Sequence, residues 1–243
     1  APLDDEAALE AVFERIGSQI AGAIVEPLPA NYGLLPQRRA WLERLAALCR
    51  KHGSLLIFDE VITGFRLGFQ GFAGVHGFEP DLVTYGKVIG GGFPVGAYGG
   101  KREYMELVAP VGPVYQAGTL SANPVAMNAG LAVLRQLEDG SVYSRLETLG
   151  QRLETAFAAI PGVQLQREGS LFWFHLSERG ETIRSLSALT ARKGAPFAPL
   201  FHRLLDGGIY LAPSAFEVGF LSTAHTEAHV DTLAAAVRAA LTE

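Results

Sequence analysis

Apolar residues follow two alternating patterns along the first half of the chain, one with helical spacing and one in short continuous runs. Helical spacing predicts helices over 4–17, from Pro36 to Gly53, and from Asn123 to Leu137. Continuous apolar runs predict buried strands over 20–25, 55–58 and 82–85. Because helices alternate with wholly apolar strands, the pattern predicts a mainly parallel sheet that is covered on both faces.

The pattern changes after Asp139 and Gly140, which break the preceding helix. A capping box from Ser144 to Glu147 predicts the start of a helix, and two strands then follow one another directly. The remaining predicted elements are strands over 163–167, 170–176 and 209–212 and helices over 196–205 and 226–241. We therefore predict an α/β chain in which residues 1–139 belong to a large domain and residues 140–243 form a smaller α+β domain.

Composition narrows the class of protein. The chain has 243 residues, of which 49% are hydrophobic and 19% charged, and this excludes an intrinsically disordered chain. The net charge of -5 argues against a nucleic-acid-binding protein with a basic face. No apolar run is long enough for a membrane span, and the single cysteine, Cys49, excludes an internal disulfide or a zinc site built from cysteines. A cytoplasmic location is the expectation.

One lysine stands out from the four in the chain. Lys87 lies in TYGKVIGGGFPVGAYGG, where its neighbours are small or apolar, so we expect its amine to be partly desolvated. Desolvation lowers the pKa of a lysine and frees the amine to form a Schiff base, and the glycines would let a flat ligand approach closely. A glycine-rich loop with a solvated lysine is the alternative, and this segment alone leaves both open.

Asp59 comes directly after a predicted buried strand, at the edge of a parallel sheet where ligands bind. A carboxylate there needs a cationic or hydrogen-bond-donating partner, and the protonated ring nitrogen of pyridoxal phosphate would serve. A helix cap or a surface turn is the alternative for Asp59 alone. With Lys87 at the end of a neighbouring strand, however, the two residues form the pair that this cofactor uses.

The spacing of residues in this sequence does not match the motifs of other common functional sites. Val88 follows Lys87 where a phosphate-binding P-loop needs Ser or Thr, and the glycines do not fit the dinucleotide pattern. No G-x-S-x-G motif of a serine hydrolase occurs. His225 and His229 are four residues apart, but neither has a further ligand at zinc spacing, so no metal site is predicted.

Four motifs together resemble the class III, fold-type I pyridoxal-phosphate enzymes: IFDEVITGFR (57–66), TYGKVIGGGFPVGAYGG (84–100), YQAGTLSANP (115–124) and LAPSAFEVGFLSTAHT (211–226). Within that family the resemblance is to the glutamate-1-semialdehyde aminomutase subgroup. It implies a fold-type I transferase whose cofactor is pyridoxal 5'-phosphate and passes through the pyridoxamine 5'-phosphate form. The implied reaction is an intramolecular amino transfer that converts glutamate 1-semialdehyde to 5-aminolevulinate for tetrapyrrole (porphyrin) biosynthesis.

The resemblance also implies a role for each matching residue. Lys87 would bind the cofactor as a Schiff base and move the proton, while Asp59 would hold the ring nitrogen protonated. Val61 would pack on the ring face from the same side of an extended chain, and Asn31 would contact the phenolic oxygen. Thr119 would reach the phosphate of the cofactor in the other subunit of a homodimer.

Two further positions, Tyr115 and Glu217, match residues near the substrate of the family. Class III transaminases that use 2-oxoglutarate usually carry an arginine in the late strand segment, where it binds the α-carboxylate. Residues 208–223 contain no arginine, and Glu217 would repel such an anion. This absence favours the aminomutase over a class III ω-aminotransferase with an oxo-acid acceptor.

The N-terminal part of the family, which carries the phosphate cup and the aromatic residue that stacks on the ring, is not in this sequence. The chain also starts at Ala1 rather than Met. We therefore expect a partial large domain followed by the small one. A truncated, inactive fragment that binds cofactor poorly and is poorly soluble alone is the third alternative.

Overall fold

The computed structural model describes residues 1–191 and 194–242, and the chain divides into two compact units. Unit 1 consists of Ala1–Pro27 and Gln37–Gly140, and unit 2 of Leu28–Pro36 and Ser141–Glu243. The assignment of 1–139 and 140–243 to a cofactor-binding domain and a smaller domain stays a prediction. In the described ranges, no helix combines the length and the apolar character that crossing a membrane requires.

Unit 1 contains a four-stranded sheet in the order β1-β2-β3-β4. Its strands are β1 (Gly22–Val25), β2 (Leu55–Glu60), β3 (Leu82–Tyr85) and β4 (Ala97–Gly100). The first three strands are parallel, as predicted, and β4 adds an antiparallel edge that the sequence reasoning missed. Strand β2 is central to the parallel part, so the polar residues at its carboxyl end lie beside the end of β3.

The helices of unit 1 are α1 (Glu6–Ile16), α2 (Arg39–His52), α3 (Gly71–His76), α4 (Arg102–Met105) and α5 (Pro124–Leu137). The prediction that α2 begins at Pro36 was wrong, because Leu28–Pro36 packs in unit 2 and the helix starts only at Arg39. Its end is as predicted: Gly53 takes the left-handed conformation with φ +70°, which suits a residue without a side chain.

The inner stripe of α2 is also as predicted, since Trp41, Leu45, Leu48 and Cys49 are all buried. Burial and the nearby charge of Asp81 raise the pKa of the Cys49 thiol to about 11. Near neutral pH this thiol therefore stays protonated and a poor nucleophile.

Within the described residues, unit 2 combines a three-stranded antiparallel sheet with four helices. The strands are β5 (Gln164–Glu168), β6 (Leu171–His175) and β7 (Gly219–Phe220), in that order. The helices are α6 (Ser141–Ala158), α7 (Leu186–Ala191), α8 (Phe197–Asp206) and α9 (Glu227–Thr242). The predicted strand over 209–212 was wrong, because that segment is irregular and β6 pairs with β7 instead.

Helix α6 starts earlier than predicted. The capping box at Ser144 lies inside the helix, which begins at Ser141 because Gly140, with φ +79°, already turns the chain. Its predicted apolar stripe is buried and packs against Phe172 and Phe174 of β6 in one core cluster, which α8 and α9 complete. The stripe consists of Leu146, Leu149, Leu153 and Phe157.

Residues 28–36 belong to unit 2 because side chains of the second half hold their backbone. Gln166 Nε2 donates to the Leu34 carbonyl oxygen at 2.6 Å, and Arg184 Nη1 donates to the carbonyl oxygen of Pro36 at 2.5 Å. The Gly33 N–H donates to the Phe216 carbonyl oxygen at 2.6 Å. These bonds join parts of the chain that are more than 100 residues apart, so local sequence patterns could not indicate them.

Candidate active site

Asp59 occupies the carboxyl end of β2, where the sequence placed it, and lies in register with Thr84 of β3. Its Oδ1 accepts the N–H of Val61 at 3.0 Å and the hydroxyl of Thr84 at 3.2 Å. Among the described residues, Asp59 Oδ2 receives no hydrogen bond, and the residue is half-buried. One oxygen therefore fixes the carboxylate, and the other is left to meet a ligand.

Val61 lies beside this carboxylate, but not by the route that the sequence suggested. The extended chain ends at Glu60, and Val61 begins a turn whose N–H points back to Asp59. The Val61 side chain faces the backbone of Gly86, since a Cβ added to Gly86 would lie 3.2 Å from Val61 Cγ1. The structure thus brings Asp59, Val61 and the residue before Lys87 together.

Lys87 follows β3 by two residues and opens a short 3-10 turn. Its φ of +47° is unusual for a residue with a side chain, and such strained conformations cluster at functional sites. The expectation of partial desolvation was wrong, because Lys87 is exposed. The neighbouring glycines have no side chains that could cover it.

Two glycines near Lys87 serve packing rather than ligand approach. A Cβ at Gly91 would lie 2.5 Å from the Ala129 carbonyl oxygen of α5, and a Cβ at Gly130 would collide with the Ile89 carbonyl oxygen. The lysine turn therefore rests backbone to backbone on α5. This contact explains why Gly91 and Gly130 are glycines, without reference to the room that a cofactor needs.

Glu60 is a buried residue next to the site whose role the sequence reasoning missed. Its carboxylate accepts the N–H of Phe72 at 2.5 Å, the N–H of Ala73 at 2.9 Å and the hydroxyl of Thr63 at 3.0 Å. Burial, and then the charge of Glu60, raise the pKa of the Tyr85 hydroxyl opposite it. Through its three hydrogen bonds, Glu60 connects the turn after Asp59 to the start of α3.

Tyr115 and Thr119 lie on an exposed segment of unit 1 ahead of α5. Neither makes a hydrogen bond with Asp59 or Lys87 within the described residues. Beside this segment, an apolar cleft of about 1030 Å³ is lined by residues such as Leu120, Met127 and Leu131, and Lys87 is not among them. The hydrogen bonds of the described residues therefore do not link these two predicted residues to the Asp59 carboxylate.

Asn31 and Glu217 belong to unit 2, where both are exposed. Their loops are joined by the Gly33–Phe216 hydrogen bond, so these two predicted residues lie in neighbouring loops of one unit. His225 and His229 have ring centroids 6.2 Å apart, and each Nδ1 accepts a backbone N–H. In the part of the chain that the structure describes, no three side chains form a group that could hold a metal ion.

Comparison with known proteins identifies the family to which the chain belongs. The model of the class-III aminotransferases matches residues 3–226. The chain belongs to the class-III aminotransferase family. Glutamate-1-semialdehyde 2,1-aminomutase of Leptospira biflexa serovar Patoc is 54% identical over 234 residues, which are 93% of this chain and 54% of that protein. The chain thus spans about half the length of the curated relatives it matches.

Solved structures of the family share the fold. The β-phenylalanine aminotransferase from Variovorax paradoxus superimposes with a TM-score of 0.89 at 35% identity, over 100% of this chain and 56% of that one. A glutamate-1-semialdehyde-aminomutase from Pseudomonas aeruginosa PAO1, in complex with PMP, gives a TM-score of 0.87 at 26% identity, with the same coverage. These matches confirm the predicted fold class, a fold-type I transferase.

Proposed function

We propose that this class-III aminotransferase chain is part of a pyridoxal-phosphate-dependent glutamate-1-semialdehyde 2,1-aminomutase. Its reaction is an intramolecular amino transfer that yields 5-aminolevulinate. The observation that carries the proposal is the identity of 54% with a relative of that name across 93% of the chain. The late segment 208–223, which lacks arginine and carries the exposed Glu217, supports it because a 2-oxoglutarate carboxylate would find no cationic partner there.

The residues at the end of β2 fit pyridoxal phosphate. Asp59 Oδ2 has no hydrogen-bond partner among the described residues, while Oδ1 is held by Val61 and Thr84, so the carboxylate is oriented before any ligand arrives. When bound, pyridoxal phosphate supplies a protonated ring that accepts electron density from a substrate carbon. Asp59 would hold the proton on the ring nitrogen, and Val61 would pack against the ring face.

With the cofactor present, Lys87 would hold it through its amine and would move the proton between the two substrate carbons. Its exposed position and strained backbone suit a side chain that must reach a ligand and leave it again. Asn31 would contact the phenolic oxygen of the cofactor, and Tyr115 and Glu217 would lie near the substrate. Thr119 reaches the cofactor phosphate of the other subunit in a homodimer that works in the cytoplasm.

A class III ω-aminotransferase with an oxo-acid acceptor is the second candidate. It is favoured by the solved β-phenylalanine aminotransferase, which is 35% identical, whereas the solved aminomutase is 26% identical. The two candidates differ in stoichiometry. The aminomutase needs no second substrate, whereas the aminotransferase consumes one oxo acid for each amino group that it transfers.

The test is to incubate the protein with pyridoxamine phosphate and glutamate 1-semialdehyde alone and to measure 5-aminolevulinate. Formation of product without an oxo acid is expected, and a strict requirement for an oxo acid would establish the second candidate instead. Titration with pyridoxal phosphate separates both from an inactive fragment. Visible absorbance of lysine-bound cofactor is expected for the protein and for Lys51→Ala, an exposed control, but not for Lys87→Ala.

A further inference from the structure

Two loops of unit 2 that carry proposed site residues are fastened to each other. The loop with Asn31 continues to Gly33, whose N–H donates to the Phe216 carbonyl oxygen at 2.6 Å, next to Glu217. The Tyr32 and Phe216 rings lie beside this bond, with their centroids 6.4 Å apart. The amide hydrogen of a single backbone hydrogen bond between two loops exchanges readily unless other groups hold the loops together.

Trp173 of β6 contacts both loops from beneath. Its indole Nε1 donates to the Ala215 carbonyl oxygen at 2.8 Å, and the residue is 2% exposed. Its ring lies under Gly33, where a Cβ would come within 2.8 Å of Trp173 Cε2. Gly33 also has φ +78°, so a side chain there would be strained in its backbone as well as in its contact with the ring.

The neighbouring strand β5 holds the same loop through a second residue. Trp173 pairs with Gln166 of β5, and Gln166 Nε2 donates to the Leu34 carbonyl oxygen at 2.6 Å. Gln166 Oε1 also accepts the Ile183 N–H at 2.5 Å, which fixes its orientation. Two cross-strand neighbours thus hold successive residues of the loop that carries Asn31, and one of them also holds the loop that carries Glu217.

We infer that Trp173 is a positioning residue that keeps the Asn31 loop and the Glu217 loop in one fixed arrangement. The inference rests on the proposed function for its chemical meaning. In that proposal Asn31 contacts the cofactor, and Glu217 lies near the substrate. Trp173 itself is 2% exposed and acts through the backbone of the two loops. Its role is to fix the backbone positions from which the Asn31 and Glu217 side chains extend.

The chain offers a matched control, because its other tryptophan, Trp41, is 3% exposed and its Nε1 has no hydrogen-bond partner within the described residues. Phenylalanine at either position removes one indole N–H from a buried site. Amide hydrogen exchange followed by mass spectrometry is expected to rise about 3- to 10-fold over residues 31–35 and 214–218 in Trp173→Phe, the range set by one lost hydrogen bond. Trp41→Phe leaves these peptides unchanged.

The second variant, Gly33→Ala, keeps Trp173 but forces its ring and the loop apart, so the same two peptides exchange faster. Unchanged exchange in both variants, or a rise that is equal throughout α6, overturns the inference, since the latter is a general loss of stability. The dissociation constant for pyridoxal phosphate is expected to rise about 3- to 10-fold in Trp173→Phe relative to Trp41→Phe.

An unchanged dissociation constant together with faster loop exchange would overturn the positioning role. If the unaltered protein bound no pyridoxal phosphate, the proposed function would fail, and the exchange comparison would still decide whether Trp173 holds the loops.

Discussion

Replacing Glu60 by alanine tests whether this carboxylate anchors the turn that follows Asp59. The side chain is 0% exposed, and it accepts hydrogen bonds from the Phe72 and Ala73 N–H groups and from the Thr63 hydroxyl. Each buried donor that loses its acceptor destabilises the fold by about 1–3 kcal/mol. We expect a loss of about 3–5 kcal/mol in the free energy of unfolding, because water entering the vacated space recovers part of the three contacts.

Two further variants separate the acceptors from the volume of the side chain. Glu60→Gln keeps the volume but turns an amide NH2 toward backbone donors, so we expect an intermediate loss of about 1.5–3 kcal/mol. Glu79→Ala changes an exposed glutamate and is expected to stay within about 0.5 kcal/mol of the unaltered protein. The free energies come from urea unfolding followed by circular dichroism. A Glu60→Ala value within about 1 kcal/mol of Glu79→Ala would refute the anchoring role.

Three other substitutions test single contacts. The hydrogen bond from Arg167 lowers the pKa of Glu147 from its ordinary value of 4.5. The ionised Glu147 therefore stabilises the folded protein above pH 4.5, and this stabilisation is lost as the pH falls through the lowered pKa. Glu147→Gln should therefore flatten the pH dependence of unfolding in acid, and an unchanged slope would contradict this. Asn123→Ala removes the side-chain acceptor of the Ala126 N–H at the start of α5 and should destabilise by about 1 kcal/mol in urea unfolding. Leu153→Ala, at a side chain that is 0% exposed, should destabilise by about 2–5 kcal/mol, and a loss below 1 kcal/mol would contradict its place in the core.

The sequence predicted those elements whose signals are local. Strands β2 and β3 follow from continuous apolar runs, and the start of α5 follows from Asn123, whose side chain accepts the Ala126 N–H as a cap does. The placement of Asp59 and Lys87 at the ends of two neighbouring strands could be predicted because parallel strands bring their carboxyl ends to the same side of a sheet. The antiparallel β4 could not, because AYGG carries little apolar pattern and pairs only through its backbone.

The contacts that orient the site residues lie beyond what local patterns can indicate. Thr84 was present in the motif around Lys87, but its hydroxyl meets Asp59 only because the register places the two residues side by side. Glu60 alternates with Asp59 along β2, so its side chain points to the opposite face of the sheet. A period-two reading from Asp59 would have predicted that face, but not the start of α3 that Glu60 binds there.

Asn31 shows why a single domain boundary along the sequence does not describe which elements hold the site residues. The boundary near residue 140 assigns Asn31 to the same domain as Asp59, yet the backbone of its loop is bound by Gln166 and packs against the Trp173 ring in unit 2. A residue that is held by two strands moves with them, whatever its place in the chain. Substitutions in β5 and β6 therefore bear on Asn31 and on Glu217 together, whereas the orientation of Asp59 depends on β2 and β3.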